Sequence, residues 1–80
     1  MRPLALITGA NGEIGRSLIQ RLAEEGRHDV VTLDLVPIAE PYKRLCLASY
    51  AGNIMDKYLL DEIVAHHDAD IVFHLAALLS

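Results

Sequence analysis

The residues of this chain best suited to chemistry are three glycines at a fixed spacing and one carboxylate downstream. Thr8-Gly9-Ala10-Asn11-Gly12-Glu13-Ile14-Gly15 puts glycines at 9, 12 and 15 between a short apolar run and an amphipathic stretch. Such a segment can cradle a pyrophosphate. Gly9 permits a sharp turn out of a strand, Gly12 lets a phosphate approach the backbone, and Gly15 lets a helix pack closely. The helix that follows offers unpaired N–H groups and the positive end of its dipole to an anion. Asn11, Glu13 and Ile14, lying between the glycines, are expected to line the same ligand. Asp34, nineteen residues after Gly15, ends the next apolar run. A carboxylate there can accept hydrogen bonds from the hydroxyls of an adenosine ribose. It would also repel a 2′-phosphate, and Leu35-Val36-Pro37 brings no arginine after it. A dinucleotide is therefore the expected ligand, with NAD favoured over NADP.

Three glycines alone could mark only a turn and a helix start. Their weight comes from the elements around them. Leu4–Ile7 is a continuous apolar run after Pro3, short enough for a strand buried on both faces. Glu13–Glu25 follows with Ile14, Leu18, Ile19, Leu22 and Ala23 on one stripe and Arg16, Gln20, Arg21 and Glu24 outward. Gly26 is a natural stop. Val30–Leu33 is a second strand, and Val36–Tyr42, with Pro37 and Pro41, reads as a loop. A third strand is expected within Arg44–Tyr50. Asp56 opens a second helix striped by Leu59, Leu60, Ile63 and Val64 and ended by His66-His67-Asp68, and Ile71–Leu75 is a fourth strand. Strands alternating with helices predict an α/β fold with a parallel sheet of about four strands and two main helices. The link from Asp34 to the third strand is at the lower limit for a crossover, so an irregular crossing is expected there.

The other reactive side chains suggest no second chemistry. His66 and His67 are adjacent and diverge on a helix, His28 lies in a turn, and His74 reads as a hydrogen-bonded core residue; no metal site is expected. Cys46 has no partner cysteine and reads as a small buried hydrophobe. Tyr42, Tyr50 and Tyr58 each lack a lysine four residues on. The net charge of −4 leaves no basic footprint for nucleic acid. The longest apolar run, Leu75–Leu79, is far short of the ~20 residues of a membrane span. With no signal-peptide pattern, a soluble cytoplasmic chain is expected. At 80 residues it is one small domain at most.

These motifs resemble the N-terminal part of the extended short-chain dehydrogenases/reductases, the NAD-dependent epimerase/dehydratase group. The TGxxGxxG pattern falls on Thr8, Gly9, Gly12 and Gly15, and the ribose acid on Asp34. The adenine motif Gly-Asp-Ile appears as Gly52-Asn53-Ile54, and the fourth-strand ending as His74-Leu75-Ala76-Ala77. The resemblance implies half of a Rossmann doubly wound sheet. It implies cofactor contacts at Asn53, Ile54, Leu75, Ala76 and Ala77. The ending HLAALLS is similar to short-chain L-threonine 3-dehydrogenases, which would put Ser80 near a substrate; nucleotide-sugar epimerases and sugar-acid dehydrogenases remain open. Family members transfer hydride with a Ser or Thr and a Tyr-x-x-x-Lys pair beyond the matched part, so no catalytic residue is assigned. Residues 1–80 are thus expected to form a cofactor-binding segment cut before the catalytic region, meeting a small-molecule substrate only in a longer parent. A second expectation concerns the fourth strand, whose open edge would pair with another copy or a missing partner.

Overall fold

The structure is a computed structural model, and it describes residues 2–75. Its element order is β1 (Leu4–Thr8), α1 (Glu13–Glu25), β2 (Asp29–Asp34), β3 (Ala48–Ala51), α2 (Lys57–His67) and β4 (Ile71–His74), with a 3-10 turn at Tyr42–Leu45 before β3. All strand pairs are parallel, in the order β3-β2-β1-β4. This is the expected half of a doubly wound sheet. The centre is β1, in register with β2 from Leu4 opposite Asp29 to Thr8 opposite Leu33, and with β4 from Ala5 opposite Ile71 to Thr8 opposite His74.

Alternation along the strands divides the core between two faces. Ala5, Ile7 and Val30 pack with Ile19 and Leu22 of α1. Leu4, Leu6, Val31 and Leu33 pack with Ile63 of α2. One helix on each face explains why β1 reads as a continuous apolar run, since both of its sides are buried. The link between β2 and β3 crosses on the α1 side without a helix. Ile38 is buried there, and Tyr42 and Cys46 pack against the same cluster, so the loop fills the space an ordinary crossover helix would cover.

The sequence expectation for the third strand needs correcting. Arg44 and Leu45 belong to the 3-10 turn, Cys46 closes it by donating its N–H to the Lys43 carbonyl, and Leu47 N makes the first bond to β2, at Val30 O (2.7 Å). The strand therefore starts later and runs to Ala51. The stripe on α1 also differs at one end: Ile14 is 61% exposed, because it sits in the first turn, ahead of the sheet-facing residues.

The two helices end alike and begin differently. Gly26 and Asp68, both left-handed, cap the C-termini of α1 and α2 through N–H bonds to Leu22 O and Val64 O. Asp56 caps α2 with a side-chain oxygen that accepts from Leu59 N at 3.2 Å. Gly12, at the start of α1, supplies no side-chain cap. Replacing Asp56→Ala is expected to cost about 1 kcal/mol in urea denaturation; an unchanged midpoint would show that the cap contributes nothing to α2.

Candidate functional site

The site expected from the glycine spacing lies at the C-terminal ends of β1 and β2. The sheet order makes this a crevice by construction. From β1 the chain leaves over one face toward β2, and it reaches β4 over the other face, so the two crossovers diverge above the β1/β4 boundary. Gly9 turns the chain out of β1 with φ of 72°, a conformation that disfavours any side chain, and its N–H donates to Leu33 O at 2.9 Å. The start of the turn is thereby pinned to the end of β2.

Gly12 and Gly15 have separate jobs. A Cβ on Gly15 would clash with the Ala10 carbonyl and lie 2.6 Å from Ala10 Cα. The third glycine thus seats the helix start against the buried first part of the turn. A Cβ on Gly12 would meet only Gly9 O, at an ordinary 3.6 Å. The fold itself does not require glycine at 12; the space beside it is open. The first α1 bond runs from Arg16 N to Gly12 O, and the N–H groups of Glu13, Ile14 and Gly15 have no partner among the described residues. Three uncapped donors beside an open glycine suit a phosphate.

Asp34 joins the three segments around this turn. Its Oδ2 accepts from Asn11 N at 2.9 Å, its Oδ1 from Val36 N at 3.5 Å, and its carbonyl from Gly52 N at 2.9 Å. The carboxylate is half-buried and points at the glycine turn. A carboxylate has about four acceptor positions, so these bonds leave capacity for ribose hydroxyls. The next segment contributes less directly. Asn53 Oδ1 accepts from Met55 N at 2.8 Å, and Ile54 packs its side chain into the α2-side core. Leu75 packs against the α1-side core. Ala76, Ala77 and Ser80 lie outside the described residues.

Two features escaped the sequence reading. Thr8, fully buried, has its Oγ1 2.7 Å from His74 Nδ1 where β1 and β4 meet at the crevice. His74 is hydrogen-bonded as expected, but it is exposed and not part of the core. Arg16 is the other. It was expected to point outward with α1, and instead its Nη2 donates to Asn11 Oδ1 at 3.3 Å. A basic residue directly after the last glycine, five positions from a turn asparagine, was the available signal.

A sequence profile of the NAD dependent epimerase/dehydratase family matches residues 5–80. The chain belongs to this family. It is 36% identical over 72 residues to the UDP-glucose 4-epimerase of Halalkalibacterium halodurans, a match covering 90% of this chain and 21% of that protein. The chain therefore spans about a fifth of the length of that curated relative. Among solved structures it is similar to L-threonine dehydrogenase from Clostridium difficile (28% identity, TM-score 0.73, 92% of this chain and 23% of that one). It is also similar to UDP-glucose 4-epimerase from Brucella ovis in complex with NAD (26% identity, TM-score 0.76, 90% and 22%). In this member of the epimerase/dehydratase family no described helix is long and apolar enough to cross a membrane.

Cys46 lies away from the turn, half-buried against the α1-side core, and burial pushes its thiol above the ordinary range. Its thiolate is scarce at neutral pH and grows only in alkaline solution. Alkylation of the folded chain at about pH 8 is expected to run several-fold slower than in urea; equal rates would contradict this burial. The glycine assignments give a second expectation. Gly15→Ala should cost about 2–3 kcal/mol of stability through its clash with backbone, and Gly12→Ala no more than about 1 kcal/mol. Equal losses in parallel urea titrations would refute the division between a packing glycine and an open one.

Proposed function

We propose that this chain forms the adenosine and pyrophosphate side of an NAD site in an epimerase/dehydratase-type oxidoreductase. The observation that carries the reading is the Asp34 carboxylate held against the glycine turn, with Asn11 N at 2.9 Å, beside the uncapped start of α1. An acceptor-only carboxylate selects hydroxyls, and the helix start selects a diphosphate. In this reading Gly12 leaves room for the phosphates, while Glu13, Ile14 and Gly15 donate backbone N–H bonds. Asp34 takes the ribose hydroxyls, and the segment Gly52-Asn53-Ile54 borders the adenine. NAD, when bound, supplies a nicotinamide ring that accepts or returns hydride; the role of these 80 residues is to hold and orient its other half.

The reaction assigned to the parent is hydride transfer at a secondary alcohol or sugar carbon. The curated sequence relatives favour a nucleotide-sugar substrate. The L-threonine dehydrogenase resemblance keeps a small hydroxy amino acid as the second choice. The 80-residue chain is expected to bind without turnover. None of its tyrosines has a lysine four residues on, and Tyr50 is occupied elsewhere, with its hydroxyl 2.6 Å from His67 Nε2 on α2.

The test is an amide NMR titration of the chain with NAD. Shifts should concentrate at residues 9–16 and 34–36, with millimolar or tighter affinity. Gly12→Ala should weaken binding by about tenfold or more, the equivalent of a charge-assisted hydrogen bond, with its melting transition little changed. Shifts scattered over α2, or none at all at saturating NAD, would overturn the reading. Oxidation of a secondary alcohol by the purified chain would overturn the claim that it holds the cofactor without using it.

A further inference from the structure

The outer strand of the sheet is tied to the far end of a helix through two rings. Tyr50 of β3 has its hydroxyl 2.6 Å from His67 Nε2 in the last turn of α2, and the rings meet edge-on with centroids 5.6 Å apart. Both residues are half-buried, and the hydroxyl has no other partner among the described residues. Among those residues β3 has a ladder partner on one side only, β2, and otherwise rests on the α2-side core through Ala48 and Tyr50. At the helix start the chain just past β3 is pressed against α2 as well, since a Cβ on Gly52 would lie 2.6 Å from Leu59 Cδ2. The segment from Gly52 to Asp56 is therefore bracketed between a packing contact and a ring-to-ring hydrogen bond.

That hydrogen bond suits a neutral imidazole. A phenol keeps its hydrogen at neutral pH, so Tyr50 O–H donates to Nε2 and the ring carries its own hydrogen on Nδ1. Protonation makes Nε2 a donor too, and the phenol must then turn its hydrogen away from its one described partner. The charge meets a second obstacle. The His66 ring stands edge-on to His67 with centroids 4.8 Å apart, and two cations at that spacing repel. Around the hollow that His66 and His67 share, Arg2 ahead of β1 adds to the repulsion, while Asp29 of β2 and Asp68 and Asp70 after α2 oppose it. Asp70 is already engaged, accepting from Leu4 N at 2.7 Å. Glu62, one turn back on α2, lines a second hollow with Tyr50 and His66. Burial first and the His66 charge second prevail, and they hold the His67 pKa below its ordinary value of 6.5.

We propose that the Tyr50–His67 contact is a pH-sensitive clasp, which holds β3 to the end of α2 while the imidazole is neutral and opens when His67 takes a proton. A histidine whose folded pKa is lowered binds more protons once released. The closed clasp is therefore at full strength above about 6.5 and weakens as pH falls through that value toward the lower folded one. What loosens is β3, Gly52 and the start of α2. The centre of the sheet is untouched, because β1 and β2 contain no histidine and pair with each other along their whole length. In the proposed function the segment Gly52-Asn53-Ile54 borders the adenine, so proton concentration sets the order of that border; the clasp itself does not depend on that reading.

The experiment is amide hydrogen exchange of the 80-residue chain, followed by NMR without ligand at several values between about pH 8 and about pH 5. Rates are corrected for the intrinsic pH dependence of exchange, with the β1 amides as internal reference. The probes are the β3 amides and Gly52 N–H, which donates to Asp34 O at 2.9 Å. Their protection relative to β1 should fall about threefold or more in acid, the scale of one net hydrogen bond. His67→Gln removes the titrating group and should give the same relative protection throughout. Tyr50→Phe removes the hydroxyl and should show the lowered protection at every pH. His66→Gln removes the neighbouring charge, so the midpoint of the change should move to higher pH. Each variant is first checked for a cooperative melting transition, and if His67→Gln does not fold, the midpoint in His66→Gln decides. Protection at β3 that ignores pH in the parent, an acid response retained in His67→Gln, or an unmoved midpoint in His66→Gln would each overturn the clasp and leave the NAD reading standing.

Discussion

Every part of this fold depends on β1 being paired along both edges and buried on both faces. Its five residues are all buried, and each neighbour is parallel to it. A central parallel strand has no free side by which to leave the sheet. The chain must exit at its C-terminal end and return by a crossover. The exit is the glycine turn, with Gly9 in a left-handed conformation and tied to Leu33 O. Burial of β1 thus dictates both the need for the turn and its position beside the end of β2.

The same constraint leaves the helix start uncapped. In α2 the first turn is closed by Asp56, an ordinary N-cap. In α1 the cap position holds Gly12, in extended backbone with φ of −77°, and no side chain closes the donors. An N-cap side chain would satisfy the turn internally, at the cost of the space an anion needs. Asp34 compensates at one remove by accepting from Asn11 N. The turn is ordered by a carboxylate from the neighbouring strand, and its own helix donors remain available. Stability and ligand capacity are separated between Gly15, whose hydrogen packs on Ala10, and Gly12, whose surroundings are open.

Much of this was legible in the sequence because the signals are local. Glu13–Glu25 was expected with the bounds it has, since amphipathic periodicity and a terminal glycine define a helix without help from its neighbours. Asp34 was legible because it terminates an apolar run at a fixed distance from the glycines. The third strand was not, because its start is set by the 3-10 turn closing at Cys46 and by Leu47 bonding to Val30, neither of which periodicity can encode. Ile14 matched the apolar spacing, yet it sits ahead of the sheet-facing part of the helix. Arg16 was assigned by the same periodicity to the solvent side; its hydrogen bond to Asn11 and its place over Tyr42 are contacts between separate segments. Such contacts appear only when the chain is folded.

Burial is not shared evenly across the described part of the sheet. In β2 the four central residues are buried, as is all of β1, whereas Ile71 and Val72 of β4 are 41% and 46% exposed. Gly9, Asn11, Gly12 and Asp34 all belong to β1, β2 or the turn between β1 and α1, so the proposed adenosine side rests on the best-packed half. On the other flank Thr8 and His74 mark where the crevice continues over β4, the strand with least cover. A ligand bridging both halves would gain its anchorage from the first. Anything that covers β4 would then strengthen the second without remaking the turn. In the proposed reading, the order of the strands therefore places the glycine turn and Asp34 on one side of β1 and the Thr8–His74 contact on the other.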